Sequence, residues 1–160
     1  MKARNIFLTL SLSIFALTSC DTTEPVDPVD PTPGPALVVV NSNVTSNTTW
    51  YSDTTYQLGS RVSVESGATL TIQPGTVIKG EAGAGANATA LVVARGAKLM
   101  AQGTASAPII FTSVADELTP DDVASGNFAS PNLDPTINGL WGGVIILGNA
   151  KISASNSAGD

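Results

Sequence analysis

A short pattern that occurs three times is the feature that most constrains this chain. It reads VSVESGATLTI at residues 62–72, LVVARGAKLMA at residues 91–101 and VIILGNAKISA at residues 144–154. Apolar and polar residues alternate around a central turn, which places the aliphatic side chains on one face of a strand. The turn residue is Gly in two copies and Asn149 in the third, and both types readily adopt left-handed backbone angles. The repeat predicts stacked strand–turn–strand units.

Equivalent positions of the three copies are expected to lie above one another. After the first copy, QPGTVIK at residues 73–79 corresponds to QGT at residues 102–104 and, beyond an insertion, to IIFT at residues 109–112. Each coil would thus contain three short strands, as in a right-handed parallel β-helix. The predicted aliphatic columns are Val62/Leu91/Val144, Val64/Val93/Ile146 and Leu70/Leu99/Ile152.

Composition supports an all-β fold and excludes several functions. Only 12% of the residues are charged and the chain contains no histidine, which excludes His-dependent catalytic triads, zinc sites and proton shuttles. The formal net charge of −6 leaves no basic face for nucleic acid. The acidic balance also argues against electrostatic adhesion to anionic lipid.

Residues 1–19 are predicted to be a signal peptide. Lys2 and Arg4 precede an apolar run at residues 6–16 that is too short to span a bilayer, and LTSC follows at residues 17–20. This ending resembles the lipobox of bacterial lipoproteins. The resemblance implies cleavage before Cys20, lipid on its sulfur and an acylated new N-terminus. An ordinary secretory signal that ends in Cys is the alternative.

Residues 20–35 are predicted to be the lipidated Cys and a Pro/Asp-rich linker. Its sequence from residue 21, DTTEPVDPVDPTPGP, favours an extended polyproline II stalk. Its acidic residues resemble the surface-export signals of Bacteroidetes lipoproteins. A solvated linker without a sorting signal is the alternative.

Residues 36–60 are predicted to be an N-terminal cap that precedes the β-helix coils of residues 61–160. Trp50 and Tyr51 would cover the first coil, since repeat arrays need a covered end. The competing interpretation is that these two side chains form an exposed platform on which sugars stack.

Residues 113–139, which lack the repeat, are predicted to be an inserted loop that projects from one face of the coils. Its carboxylates suggest calcium, but their order lacks the alternating spacing of a calcium-binding loop. A solvated loop is therefore preferred, and no metal or other cofactor is expected. The weak calcium candidates are Asp116, Glu117, Asp121 and Asp122.

Three segments together resemble a known group of proteins. WGGVIILGNA at residues 141–150, GATLTIQPGTVIKG at residues 67–80 and GTASAPIIFTS at residues 103–113 are similar to the N-terminal part of Bacteroidetes lipoproteins predicted to be right-handed parallel β-helices of the pectin-lyase-like type. The resemblance covers residues 48–154. Members of that group are longer, so we expect these 160 residues to be a truncated part of a longer product.

These observations predict a lipid-anchored protein of the cell envelope, held to the outer membrane through Cys20. We expect it to be non-catalytic and to present a surface for adhesion or carbohydrate binding, through Trp141, Phe128 or Trp50. A fragment of a polysaccharide lyase or hydrolase is the alternative, suggested by fold analogy alone. A structural protein of outer-membrane assembly is a second alternative.

Overall fold

The computed structural model describes residues 36–148 and residue 150. Within this range a 3₁₀-helix covers Gly85–Asn87 and one α-helix, α1, covers Pro120–Ala124. No helix in the described part of the chain has the length and apolarity needed to cross a membrane. The strands are β1 (Ala36–Val40), β2 (Thr48–Trp50), β3 (Thr54–Leu58), β4 (Arg61–Val64), β5 (Thr69–Ile72), β6 (Val77–Gly80), β7 (Ala90–Val93), β8 (Lys98–Ala101), β9 (Ile110–Ser113) and β10 (Val144–Ile146).

The strands form three parallel sheets. Their orders are β1-β3-β6-β9, β10-β7-β4 and β2-β5-β8, so the chain visits the three sheets in turn and starts a new coil with β1, β3, β6 and β9. Every named strand pair is parallel. This arrangement is a parallel β-helix, and it confirms the predicted fold class.

The register confirms the predicted aliphatic columns wherever the chain is described. Leu91 pairs with Val62 on one side and with Val144 on the other, and Leu70 pairs with Leu99. Val93 likewise lies between Val64 and Ile146 in the same two sheets. Ile152 and the turn residue Asn149 lie outside the described residues.

Glycine forms the predicted turns between the second and third strands of a coil. Gly67 has φ +88° and Gly96 has φ +82°, in the left-handed region that other residues rarely adopt. The two turns are stacked, because Gly67 N donates to Gly96 O at 3.1 Å.

The segment predicted to be the cap, residues 36–60, forms the first coil and opens the second. Its strands β1, β2 and β3 all pair in parallel register with later coils. Between β1 and β2, asparagine side chains take the place of strand backbone as hydrogen-bond acceptors. Asn43 Oδ1 accepts from Ser63 N and Asn47 Oδ1 accepts from Thr69 N, each at 3.0 Å. These contacts satisfy donors of β4 and β5 that no strand of the first coil reaches.

The interior of the coils is a continuous aliphatic core. Leu58, Val62, Val64, Leu70 and Leu91 are completely buried. Each such side chain stabilises the fold by about 1.5–3 kcal/mol relative to exposure to water.

The insertion packs on the outer face of the sheet that contains β6 and β9. Leu118 and Val123 form a second apolar cluster with Val77 and Ile110. A capping box starts α1: Asp122 N donates to the Thr119 hydroxyl, and Thr119 N donates to the Asp122 carboxylate. The expectation of a solvated loop is therefore wrong for residues 118–123, because their apolar side chains find a hydrophobic surface on the coil.

Candidate functional site

A cleft of about 440 Å³ lies between β9 and the second half of the insertion. β9 pairs only with β6 within the described residues, and edge strands present backbone donors and acceptors that can bind a ligand. The apolar part of the cleft lining includes Phe111, Leu133, Leu140 and Trp141. The cleft thus combines an apolar wall with polar groups, as ligand sites commonly do.

Trp141 is held by a glycine of the preceding coil. Gly80 pairs with the buried Leu58 in β3, so a side chain at Gly80 would point into the core. A Cβ at this position would collide with the indole ring of Trp141. Trp141 is half-buried, packs against the core cluster and also lines the cleft.

Asp116 joins the insertion to the coil. Its Oδ2 accepts from the Thr112 hydroxyl at 2.7 Å, and its Oδ1 accepts from Leu118 N at 3.0 Å and the Ser130 hydroxyl at 2.8 Å. Burial alone would raise the pKa of this carboxyl, but the three hydrogen bonds and the charge of Lys79 outweigh it. The pKa of Asp116 consequently lies below its ordinary value, and the side chain is ionised at neutral pH.

Lys79 lies behind Asp116 and outside the cleft lining. Its Nζ donates to the Asp116 carbonyl oxygen at 2.6 Å. Burial lowers the pKa of Lys79, an effect that nearby carboxylates, first among them that of Asp116, partly oppose. The ammonium group therefore supports the loop from within.

Asp134 is the second carboxylate of the cleft, and it is exposed. The Thr136 hydroxyl and the Thr136 N–H both donate to Oδ1, at 2.7 and 2.8 Å. These hydrogen bonds hold the pKa of Asp134 below its ordinary value. Asn138 and the Ser130 hydroxyl supply further polar groups to the same lining.

The weak calcium candidates do not converge on one point. Asp116 is fully engaged by internal donors, and Asp122 caps α1. Glu117 is exposed, and Asp121 lines a separate hollow of about 300 Å³ beside α1. Within residues 36–148, no group of three His, Cys, Asp or Glu side chains is arranged to hold a metal ion.

The three aromatic candidates have different environments. Trp141 lines the cleft, whereas Phe128 is 38% exposed and lies outside its lining. Trp50 is 3% exposed and stacks on Tyr56 with ring centroids 4.6 Å apart, so it is corrected from a candidate ligand-binding residue to a core residue. Tyr51, the other residue of the alternative sugar-stacking platform, is exposed, whereas Trp50 is not.

Several cleft residues were not among the sequence candidates. Ser130 and Asp134 each precede a proline, in SPN and DPT segments whose short polar side chains bond to backbone two residues ahead. Those segments predict tight turns, but only the folded structure shows that the turns face β9.

Residues 42–126, more than half of the chain, match the model of a protein family described as the pectate-lyase like beta helix domain. The matched region runs from the first coil to the end of α1, and it stops before Ser130, Asp134 and Trp141. Neither a search of curated proteins nor a search of solved structures finds a match to this chain. The family match therefore covers the coils and leaves the far wall of the cleft outside it.

Proposed function

Since the chain belongs to the family of pectate-lyase-like β-helix domains, we propose that it is a lipid-anchored, non-catalytic cell-envelope protein that binds carbohydrate in the cleft beside β9. The coils act as a rigid support, and the insertion together with Trp141, which follows it, carries the binding residues.

The observation that carries this proposal is the position of Trp141 in a cleft that also contains hydroxyl, amide and carboxylate groups. Sugar rings have apolar faces that stack on aromatic side chains and hydroxyl groups that need hydrogen-bond partners. Packing against Gly80 holds the indole ring in place, so little conformational entropy is lost when a ligand binds.

The chemistry of the cleft favours binding over hydrolysis. A glycoside hydrolase needs one carboxyl group that stays protonated to act as general acid. Both carboxyl groups that line the cleft, Asp116 and Asp134, have a lowered pKa and are ionised at neutral pH.

A lyase reaction has equally little support. Cleavage of a polyuronate needs positive charge or a metal ion against the substrate carboxylate, together with a base. No Lys or Arg belongs to the described lining of the cleft. Arg61 lines a different hollow, beside the 3₁₀-helix.

The membrane attachment rests on the sequence. Cys20, the first residue after the signal peptide, would carry the lipid, and the Pro/Asp-rich linker would hold the coils away from the bilayer. The similarity to Bacteroidetes lipoproteins supports the outer membrane as the location.

A glycan array probed with the purified protein tests the binding. We expect Trp141→Ala and Asn138→Ala to weaken binding, whereas Phe128→Ala, an aromatic truncation outside the cleft, should leave it unchanged. Circular dichroism shows whether each variant is folded. Absence of binding to any glycan, or unchanged binding by folded Trp141→Ala and Asn138→Ala proteins, would contradict the proposal.

A further inference from the structure

We infer that the cleft selects neutral sugars over uronic acids, and that Asp134 is the residue that sets this preference. This inference rests on the proposed carbohydrate binding and names the class of ligand.

The charged side chains in the described lining of the cleft are all of one sign. Its described lining contains two carboxylates, Asp116 and Asp134, and no cationic side chain. Lys79, whose ammonium group donates to the backbone oxygen of Asp116, is outside the lining. A ligand that carries its own carboxylates would face these two carboxylates without a cation in the described lining to pair with.

The two carboxylates have different roles. Both oxygens of Asp116 accept hydrogen bonds from within the protein, so this side chain contributes charge and holds the wall together. Asp134 is exposed, and its described hydrogen bonds both go to Oδ1. Its Oδ2 can therefore accept a hydrogen bond from a sugar hydroxyl, whereas it would repel a uronate carboxylate.

Asp134→Asn is the sharpest substitution, because an Asn side chain keeps the shape and an oxygen that accepts from Thr136 while it removes the charge. Asp121→Asn is the matched control, since it makes the same change in net charge at an exposed position outside the cleft. Both variants avoid the packed residues of the wall.

The experiment compares neutral oligosaccharides with their uronic-acid counterparts of the same linkage and length, on an array and then by calorimetric titration. We expect the wild-type protein to bind the uronic acids at least about tenfold more weakly than the neutral sugars at low ionic strength. Asp134→Asn should remove most of this difference, and Asp121→Asn should preserve it.

Three results overturn the inference while the proposed function stands: equal or tighter binding of uronic acids by the wild type, an unchanged preference in Asp134→Asn, or the same change in Asp121→Asn. A different result, no binding of any sugar, overturns the proposed function and this inference with it.

Discussion

The indole ring of Trp141 occupies the space that a side chain at Gly80 would fill. Gly80 ends β6 and pairs with the buried Leu58, so the missing side chain leaves room at the edge of the core. Trp141 reaches this position from the segment that directly follows the insertion. One contact therefore fixes the aromatic wall of the cleft to the coils, and it links the fold to the proposed binding site.

Gly80→Ala tests this contact. The added methyl group forces the indole ring to move, which should destabilise the protein by about 1–3 kcal/mol. Urea unfolding measures the loss, and tryptophan fluorescence reports the displaced ring. Gly148→Ala is the control, since a Cβ at Gly148 meets no atom of the described residues within 4 Å and should leave both signals unchanged. Equal stability of the two variants would show that Trp141 adapts without cost.

Leu118→Ala tests the packing of the insertion on the coil. Leu118 is 1% exposed and contacts the cluster that contains Val77 and Val123. Its truncation should lower the free energy of unfolding by about 2–4 kcal/mol. Val114→Ala, at a position that is 38% exposed, should cost less than about 0.5 kcal/mol. Similar small effects in both variants would mean that the loop does not dock.

Asp116→Asn should destabilise the protein by about 1–3 kcal/mol at pH 7, because an amide cannot accept all three hydrogen bonds of the carboxylate. The pKa of Asp116 is lowered in the folded state, so its stabilisation is complete above about pH 4 and disappears as the pH falls through the lowered pKa.

The difference between the wild type and Asp116→Asn should therefore shrink on acidification, as followed by urea unfolding between neutral and acidic pH. Asp121→Asn, at an exposed position, serves as the control and should cost little at neutral pH. A difference that stays constant with pH would show that the charge of Asp116 has no part in stability.

Cys20→Ala tests the lipid anchor. The substitution removes the sulfur that would carry the lipid, so the protein should lose incorporation of radiolabelled palmitate and move from the membrane fraction to the soluble fraction. Ser19→Ala changes the preceding residue conservatively and should remain membrane-bound. Palmitate incorporation that persists in Cys20→Ala would contradict lipidation at this residue. Membrane association that persists without the label would contradict the lipid as the anchor.

The coils could be predicted from the sequence because their energetics are local and periodic. The alternation of apolar and polar residues along each strand determines which side chains point inward, and the glycine turns determine where each strand ends. The pairings of Val62 with Leu91 and of Leu70 with Leu99 follow directly from these rules, and the structure contains both.

The insertion could be predicted only in part. The Thr119 and Asp122 pair is a capping signal that the sequence displays, but the lack of periodicity around it favours a loop over a helix. The partners of Asp116 at residues 112, 118 and 130 come together only after the loop docks, and no periodicity indicates this. Likewise, a glycine at the end of β6 gives no sign that a distant tryptophan will cover it.

Fluorescence of Trp141 tests the central claim most directly. The chain contains two tryptophans, and Trp50 is buried in a stack with Tyr56, so Trp50→Phe preserves an aromatic contact and leaves Trp141 as the sole reporter. Titration of this variant with a neutral oligosaccharide bound on the array should shift its emission and reduce quenching by acrylamide. Unchanged emission and quenching at saturating sugar would contradict binding in the cleft.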